Sequence, residues 1–306
     1  MRVCILGSGL TALTLAKALV NQNIFVDLIS SNKNHKINHS RTIGISKSNF
    51  NYFNRNITNI EKISWKLKKI EIFTDKNKNE KILNFENSDE QLFSIIKNYQ
   101  LFEVLNKNLF KNKYFKKIKS QKKSIKPEKY NLIVNTEYNN IFTKKYFSKK
   151  IEKVYNSSAY TTVINHETIS NQIAVQIFTK IGPLAFLPLS KNKTSIVYSI
   201  YNSKHVDRKK IIHLINQHNI KYKITKIEKI ENFELKSFNL RSYYHNNILA
   251  FGDLLHRIHP LAGQGFNMTI RDINVFINII KNKIDLGLPI DSSVNYEFEK
   301  NMKHKN

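Results

Sequence analysis

Residues 249–281 read LAFGDLLHRIHPLAGQGFNMTIRDINVFINIIK, and the whole chain is organised around them. Ile248-Leu249-Ala250-Phe251 is an apolar run of strand length that stops at Gly252-Asp253. Pro260, Gly263, Gln264 and Gly265 follow, a loop in which glycine lets backbone approach a ligand closely. Phe266, Ile270, Ile273, Ile277 and Ile280 then recur at the spacing of one helix face. The order is strand, acidic turn, glycine loop, helix N-terminus. A helix N-terminus presents unpaired N–H groups and positive dipole character, and it suits an electron-rich group.

Working outward, the N-terminus repeats this logic. Val3-Cys4-Ile5-Leu6 is a buried-strand run, and Gly7-Ser8-Gly9-Leu10-Thr11-Ala12 fits G-x-G-x-x-[G/A]. A helical run through Leu13, Ala16 and Leu19 and a second strand over Ile24-Phe25-Val26-Asp27-Leu28-Ile29 complete a dinucleotide-binding βαβ unit. The acid expected at the end of the second strand is Ser30, and Asp27 lies inside the strand, poorly aimed to replace it.

Residues 66–86 alternate like strands, 91–109 read as helix, and Tyr130-Asn131-Leu132-Ile133-Val134-Asn135 is another buried strand. Alternating patterns return at 161–164, 173–178 and 195–200, with Gly182-Pro183-Leu184-Ala185-Phe186-Leu187-Pro188 between the last two, read as a turn. Lysines crowd around Leu109, Phe110, Tyr114, Phe115 and Ile118, which reads as a solvated basic face, with anionic lipid as the alternative contact.

Taken together, G-D, H-x-x-H-P, G-Q-G-x-N and R-D resemble the second FAD-binding motif of the aromatic-hydroxylase class of flavoprotein monooxygenases, and within it the ubiquinone-biosynthesis hydroxylases. Arg41-Thr42-Ile43-Gly44-Ile45-Ser46 and the 182–188 segment are similar to the R-T-I-A-L-S and G-P-L-A-L-L-P segments of those hydroxylases. The resemblance implies an α/β fold: a Rossmann-like FAD-binding domain (1–70, 95–147 and 245–306) with an inserted smaller β-sheet substrate domain (71–94 and 148–244). It implies FAD as cofactor, NAD(P)H as reductant, and hydroxylation of a polyprenylated phenol. Its cofactor-binding residues would be Gly7, Gly9, Ala12, Arg41, Gly252, Asp253, Pro260, Gly263, Gln264, Gly265 and Asn267. Among these, Arg41 would contact the pyrophosphate and Asp253 the ribityl chain, with the helix start at Gly265-Phe266-Asn267 facing the flavin ring. No catalytic base is identifiable. Two positions depart from the class: Ser30, and Tyr138 where a glycine is usual. The sequence also stops soon after Tyr296-Glu297, where members of the class continue with further helices, so the chain is either naturally short or incomplete. These three features motivate a second reading, a non-catalytic flavin-binding or scaffold protein derived from the same family.

Composition bounds the rest. Hydrophobic content of 41% supports a folded core in 306 residues. No apolar run approaches the ~20 residues of a membrane span, and the first residues do not read as a signal peptide. The single cysteine, Cys4, precludes an internal disulfide and reads as a core residue of a reducing compartment. The net charge of +27, from 50 Lys and Arg against 23 Asp and Glu, has two readings: an anionic partner surface, or A/T-rich codon usage, which favours the Lys, Asn and Ile used heavily here. With no nucleic-acid motif, the partner surface expected from the charge is an anionic membrane; the resemblance adds other ubiquinone-biosynthesis proteins as partners, and the expected place is the cytoplasm, peripheral on the inner membrane face. His256 and His259 lack the companions of a metal site, and no G-x-S-x-G or P-loop sequence occurs.

Overall fold

The computed structural model describes residues 1–30, 40–75, 80–86, 91–119, 125–201, 206–257 and 264–303. Its first layer is a six-stranded sheet in the order β16 (Tyr244–His245), β17 (Ile248–Ala250), β9 (Leu132–Asn135), β1 (Arg2–Leu6), β2 (Phe25–Ser30), β8 (Phe115–Lys119). Every pairing is parallel except the β16–β17 hairpin. Parallel sheets are covered on both faces, which is why β1 and β9 are unbroken apolar runs without exposed positions over Val3–Leu6 and 132–134. The covering helices are α1 (Leu10–Val20), α3 (Asn98–Phe110), α6 (Gln264–Asp285) and α7 (Ser292–Lys303). Leu101, Leu105 and Leu109 of α3 and Ile270, Ile273, Ile277 and Ile280 of α6 are buried in the same core as β1. Phe251, Phe276 and Phe298 pack ring on ring at 5.4–5.7 Å, and so fasten α7 and α6 to the end of β17.

The second layer is a nine-stranded sheet. Its path is β18 (His256–Arg257), β15 (Glu231–Leu240), β10 (Lys150–His166), β13 (Lys193–Ile200), β12 (Gly182–Ser190), β11 (Ile173–Thr179), β5 (Lys69–Thr74), β6 (Glu80–Glu86), with β14 (Ile224–Ile227) paired to β10. Among its described pairings only β11 and β5 run parallel. One face packs on α5 (Arg208–Gln217) through Leu184, Phe186, Ile196, Ile211 and Ile215. The opposite face, through Ala174 and Leu187, turns toward a three-stranded antiparallel sheet of β3 (Thr42–Ser46), β7 (Phe93–Lys97) and β4 (Ser64–Leu67). The alternation of faces is the period-two pattern of a half-buried strand. Helices α2 (Lys47–Asn56) and α4 (Ile141–Tyr146) complete the chain.

Two local readings are corrected. Residues 91–109 are not one helix: 93–97 form β7, and helix begins only at Asn98. Ile95 and Ile96 bury on opposite sides of β7, into two different clusters, which a strand permits and a helix would not. The 182–188 segment is not a turn but most of β12. Pro183 stands at the strand start and Pro188 beside a register shift, the two places where a missing N–H is tolerated in a sheet. In the 71–94 segment, β6 and most of β5 join the nine-stranded sheet, while its last two residues begin β7 of the small sheet.

Candidate functional site

The parallel sheet grows from β1 to β2 on one side and to β9 on the other, so a crevice opens at the carboxyl ends of β1 and β9, the usual ligand position in such sheets. Gly7 leaves β1 with φ +131° and donates its N–H to the Ile29 carbonyl at 2.8 Å. A Cβ there would sit 2.1 Å from Thr136 Oγ1, which is itself held by donating to the Leu6 carbonyl at 2.8 Å. Gly252, at φ +65°, leaves no more room, since a Cβ would lie 2.4 Å from Thr11 Cγ2. The two glycine turns are therefore clasped together: the first against the end of β9, the second against the first turn of α1. Ala12 is fully buried beneath them.

Gly9 behaves differently. It is the N-cap of α1, with no side-chain cap and no acidic residue in the first turn, and a Cβ placed on it would meet nothing within 4 Å. The helix N–H groups thus open onto space rather than onto protein, which fits a diphosphate at the helix start. Arg41 and Asp253 supply charge nearby. The guanidinium of Arg41 lies 5.0 Å over the Phe233 ring. Arg41 is exposed as a residue, and the protein packed around its guanidinium desolvates it in part and lowers its pKa, while the charges of Asp253 and Glu231 act to raise it and Arg257 to lower it. Arg41 and Asp253, remote in sequence, thus share one electrostatic neighbourhood.

The start of α6 is the third element. Gln264 opens the helix, and a Cβ on Gly265 would also meet nothing within 4 Å. Pro260 and Gly263 lie outside the described residues. Asn267 is buried, and its side chain is committed to protein. Its amide donates to the Gly44 carbonyl at 2.8 Å, and its oxygen accepts from Ser46 N at 3.0 Å and Asn49 Nδ2 at 2.8 Å. Asn267 therefore holds α6 against β3 and α2 and positions the helix end through its neighbours.

Beside that helix end lies a cavity of about 450 Å³. Leu67, Phe93, Ile95, Ala174 and Leu187 form its apolar wall, contributed by the small sheet and the inner face of the large one, and Asn49, Gln176 and Arg271 its polar side. Residue spacing did not reveal this space, because it joins segments from 44 to 271; the N-x-x-x-R spacing that puts Asn267 and Arg271 on one helix face was its one local trace.

The departures have physical explanations. Ser30 Oγ donates to Ser8 Oγ at 3.1 Å, so Ser30 does face the glycine loop. Asp27 is buried, accepts from the Tyr130 hydroxyl at 3.1 Å and lies 4.0 Å from Arg2. Arg2 begins β1, and Asp27 is therefore tied to the sheet end opposite the crevice, as its sequence position implies. Tyr138 keeps its backbone out of the left-handed region, packs its ring at a tilt against Phe238 at 5.6 Å and bonds Lys150 through its hydroxyl. No glycine conformation is needed there. Burial, helped by Asp27, pushes the Cys4 thiol far up, consistent with an inert core residue. Among the described residues no group of three metal-ligating side chains occurs, and no helix is long and apolar enough to cross a membrane.

Comparisons with known proteins agree with this geometry. The FAD binding domain family matches residues 150–282. The ubiquinone biosynthesis monooxygenase COQ6 of Caenorhabditis elegans is 26% identical over 45% of this chain and 40% of its own length. The 3-demethoxyubiquinol 3-hydroxylase of Escherichia coli is 32% identical over 37% of this chain and 30% of its own. These matches thus span less than half of either relative. In fold, the chain superposes on PqsL of Pseudomonas aeruginosa, a probable FAD-dependent monooxygenase, with a TM-score of 0.77 at 12% identity, covering 98% of this chain and 91% of PqsL. A variant of Klebsiella pneumoniae HpxO, solved in complex with FAD, gives 0.74 at 11% identity over 98% of this chain and 85% of its own. The expected α/β fold is borne out, and the FAD binding domain match over residues 150–282 supports the expectation of FAD as cofactor.

Proposed function

We propose that this chain, a relative of the FAD-dependent monooxygenases of the aromatic-hydroxylase class and of the ubiquinone-biosynthesis hydroxylases, hydroxylates the aromatic ring of a polyprenylated phenol. The observation that carries the reading is the adjacency of an open glycine cradle, an Arg41–Asp253 charge neighbourhood and a largely apolar cavity at the start of α6. Bound FAD supplies electron transfer from NAD(P)H and oxygen transfer from O2. The overall balance is ArH + O2 + NAD(P)H + H⁺ giving ArOH + H2O + NAD(P)⁺.

The chain's own residues have binding and positioning tasks. Gly7, Gly9 and the uncapped start of α1 would hold the diphosphate, with Arg41 adding positive charge. Asp253 would accept hydrogen bonds from hydroxyls of the cofactor. The start of α6, pinned by Asn267, would place positive dipole character where the reduced ring gains electrons. Leu67, Phe93, Ile95 and Leu187 would exclude water from the acceptor ring. None of these needs an acid or base, in keeping with chemistry supplied by the cofactor.

The test is aerobic turnover of the FAD-loaded protein with NAD(P)H and a short-chain prenylated phenol under labelled O2. The reading expects one labelled oxygen atom in the ring. NAD(P)H oxidation that yields only hydrogen peroxide, with every such phenol unchanged, would favour the non-catalytic alternative.

A lipid-soluble substrate also suggests where the protein works: at an anionic membrane face, in the cytoplasm, alongside other proteins of the same biosynthesis. Phe110, at the end of α3, is 64% exposed, and Lys117 lies 5.7 Å over its ring. Lys107, Lys111 and Lys113 flank it. Each well-placed cation contributes about 1 kcal/mol near an anionic leaflet. Flotation with anionic liposomes at low salt, lost at high salt, is the expected outcome; no binding at low salt would make the basic charge a matter of composition only.

A further inference from the structure

Arg271 is the one charged residue among the described residues lining the 450 Å³ cavity. It stands one helical turn after Asn267, and its Nε donates to the Asn267 carbonyl at 3.4 Å. That bond sets the direction of the side chain and leaves the terminal guanidinium nitrogens as donors. Among the described residues, no carboxylate lies within ion-pair distance of Arg271. The side chain is exposed, so its charge stays hydrated until a ligand covers it. The opposite wall is apolar. A cavity with one cation at one side and hydrocarbon at the other fits an amphiphile whose anionic oxygen points to α6 and whose chain lies against Phe93, Ile95 and Leu187.

We propose that Arg271 is a specificity-determining residue, selecting acceptor rings that carry an anionic oxygen, whether a ring carboxylate or an ionised phenol. The inference rests on the cavity being the acceptor site of the proposed hydroxylase. Arg271 takes no part in electron or oxygen transfer; it fixes the ring by one charged pair in a space that otherwise gives only apolar contact. A neutral ring of the same shape would keep the apolar contacts and lose the pair.

The protein carries its own reporter. Trp65, the sole tryptophan, packs on the cluster of Leu67, Ile95 and Ala174 that forms the cavity wall, with its indole N–H donating to the Asn171 carbonyl at 2.6 Å. Its fluorescence reads occupancy of the cavity without any turnover. Three geranylated probes suffice: a 4-hydroxybenzoate, its neutral carboxamide, and a polyfluorinated phenol that is ionised at neutral pH. Wild-type protein should bind at least one anionic probe about ten- to a hundredfold more tightly than the carboxamide. Arg271→Gln should erase that preference while leaving carboxamide affinity and FAD uptake unchanged, and Arg271→Lys should keep part of it. A loss confined to the carboxylate probe or to the phenolate probe identifies which oxygen is read. Equal affinity for all probes in wild type, or a preference that survives in Arg271→Gln, overturns the proposal while leaving the hydroxylase reading intact. If no probe changes Trp65 emission in protein that takes up FAD, the cavity is not the acceptor site, and this proposal falls with that reading.

Discussion

The parallel sheet and the nine-stranded sheet encode their working parts in opposite ways. At the ends of β1 and β17, function is written into single backbone positions: Gly7 and Gly252 adopt φ values of +131° and +65° and have a neighbour within 2.4 Å of where a Cβ would go. Only glycine satisfies both conditions, so the residue type alone announces the geometry. Among the described residues, the cavity beside the large sheet has no glycine of positive φ; Gly44 lines it with no room for a Cβ, but the obstacle, 2.1 Å away, is the edge of the Phe93 ring rather than a fixed turn. Its apolar wall is made of ordinary side chains of β4, β7, β11 and β12, any of which could change for another of similar volume. A cradle for a fixed cofactor demands particular backbone, whereas a site for a variable acceptor demands only shape and one well-placed charge.

The largest expected effect that sharpens this contrast is in the cradle. Gly7→Val should abolish FAD uptake and most folded yield, because it adds branched carbon at 2.1 Å from Thr136 Oγ1 on left-handed backbone. Leu187→Val, in the cavity wall, should cost no more than about 1.5 kcal/mol in thermal or urea unfolding and leave FAD binding alone. Comparable losses from both would erase the distinction between the regions.

A smaller effect is expected where the regions join. Asn267→Ala removes three hydrogen bonds from a buried site, at about 1 kcal/mol each with a further cost for partners left unpaired, so unfolding should shift by about 3 kcal/mol. FAD affinity should fall only modestly, because the side chain acts through Gly44 and Ser46. A loss of FAD without a loss of stability would instead make Asn267 a direct ligand.

Gly7 and Gly252 were legible in the sequence for the reason just given, whereas Gly9 and Gly265, where a Cβ would meet nothing, were legible only as members of the local strings GSG and GQG. The pairing of Thr136 with Gly7 and of Thr11 with Gly252 was not, since threonine at either place is unremarkable until the fold brings it close. β7 was hidden for a related reason. Five residues ahead of a genuine helix carry too short a pattern, and only pairing with β3 and β4 decides their state. β12 was masked by its prolines: Pro183 is tolerated because it stands at the strand start, and Pro188 because of a register shift that is a tertiary feature. Arg271 was visible as part of an R-D pair, yet nothing in the sequence connected it with Phe93 or Ala174 across the cavity.

Of the cradle substitutions, Ser30→Glu should have the smallest effect and the opposite sign. Ser30 already faces the loop through Ser8, and a carboxylate there would reach ribose hydroxyls that serine cannot span. FAD should bind up to about tenfold more tightly, near 1.4 kcal/mol, with riboflavin unaffected because it lacks the adenosine. Unchanged FAD affinity would mean that another residue already holds the ribose.

The central claim is that Gly7, Gly9, Gly252 and Asp253 form one FAD site, and titration of the purified protein with FAD tests it most directly. The wild-type chain should take up one FAD non-covalently, turn yellow, and bleach on anaerobic addition of NAD(P)H. Asp253→Ala should bind FAD about ten- to a hundredfold more weakly, as expected for loss of a charged hydrogen-bond acceptor. A colourless protein that takes up no added FAD, or an Asp253→Ala variant with undiminished affinity, would contradict the account.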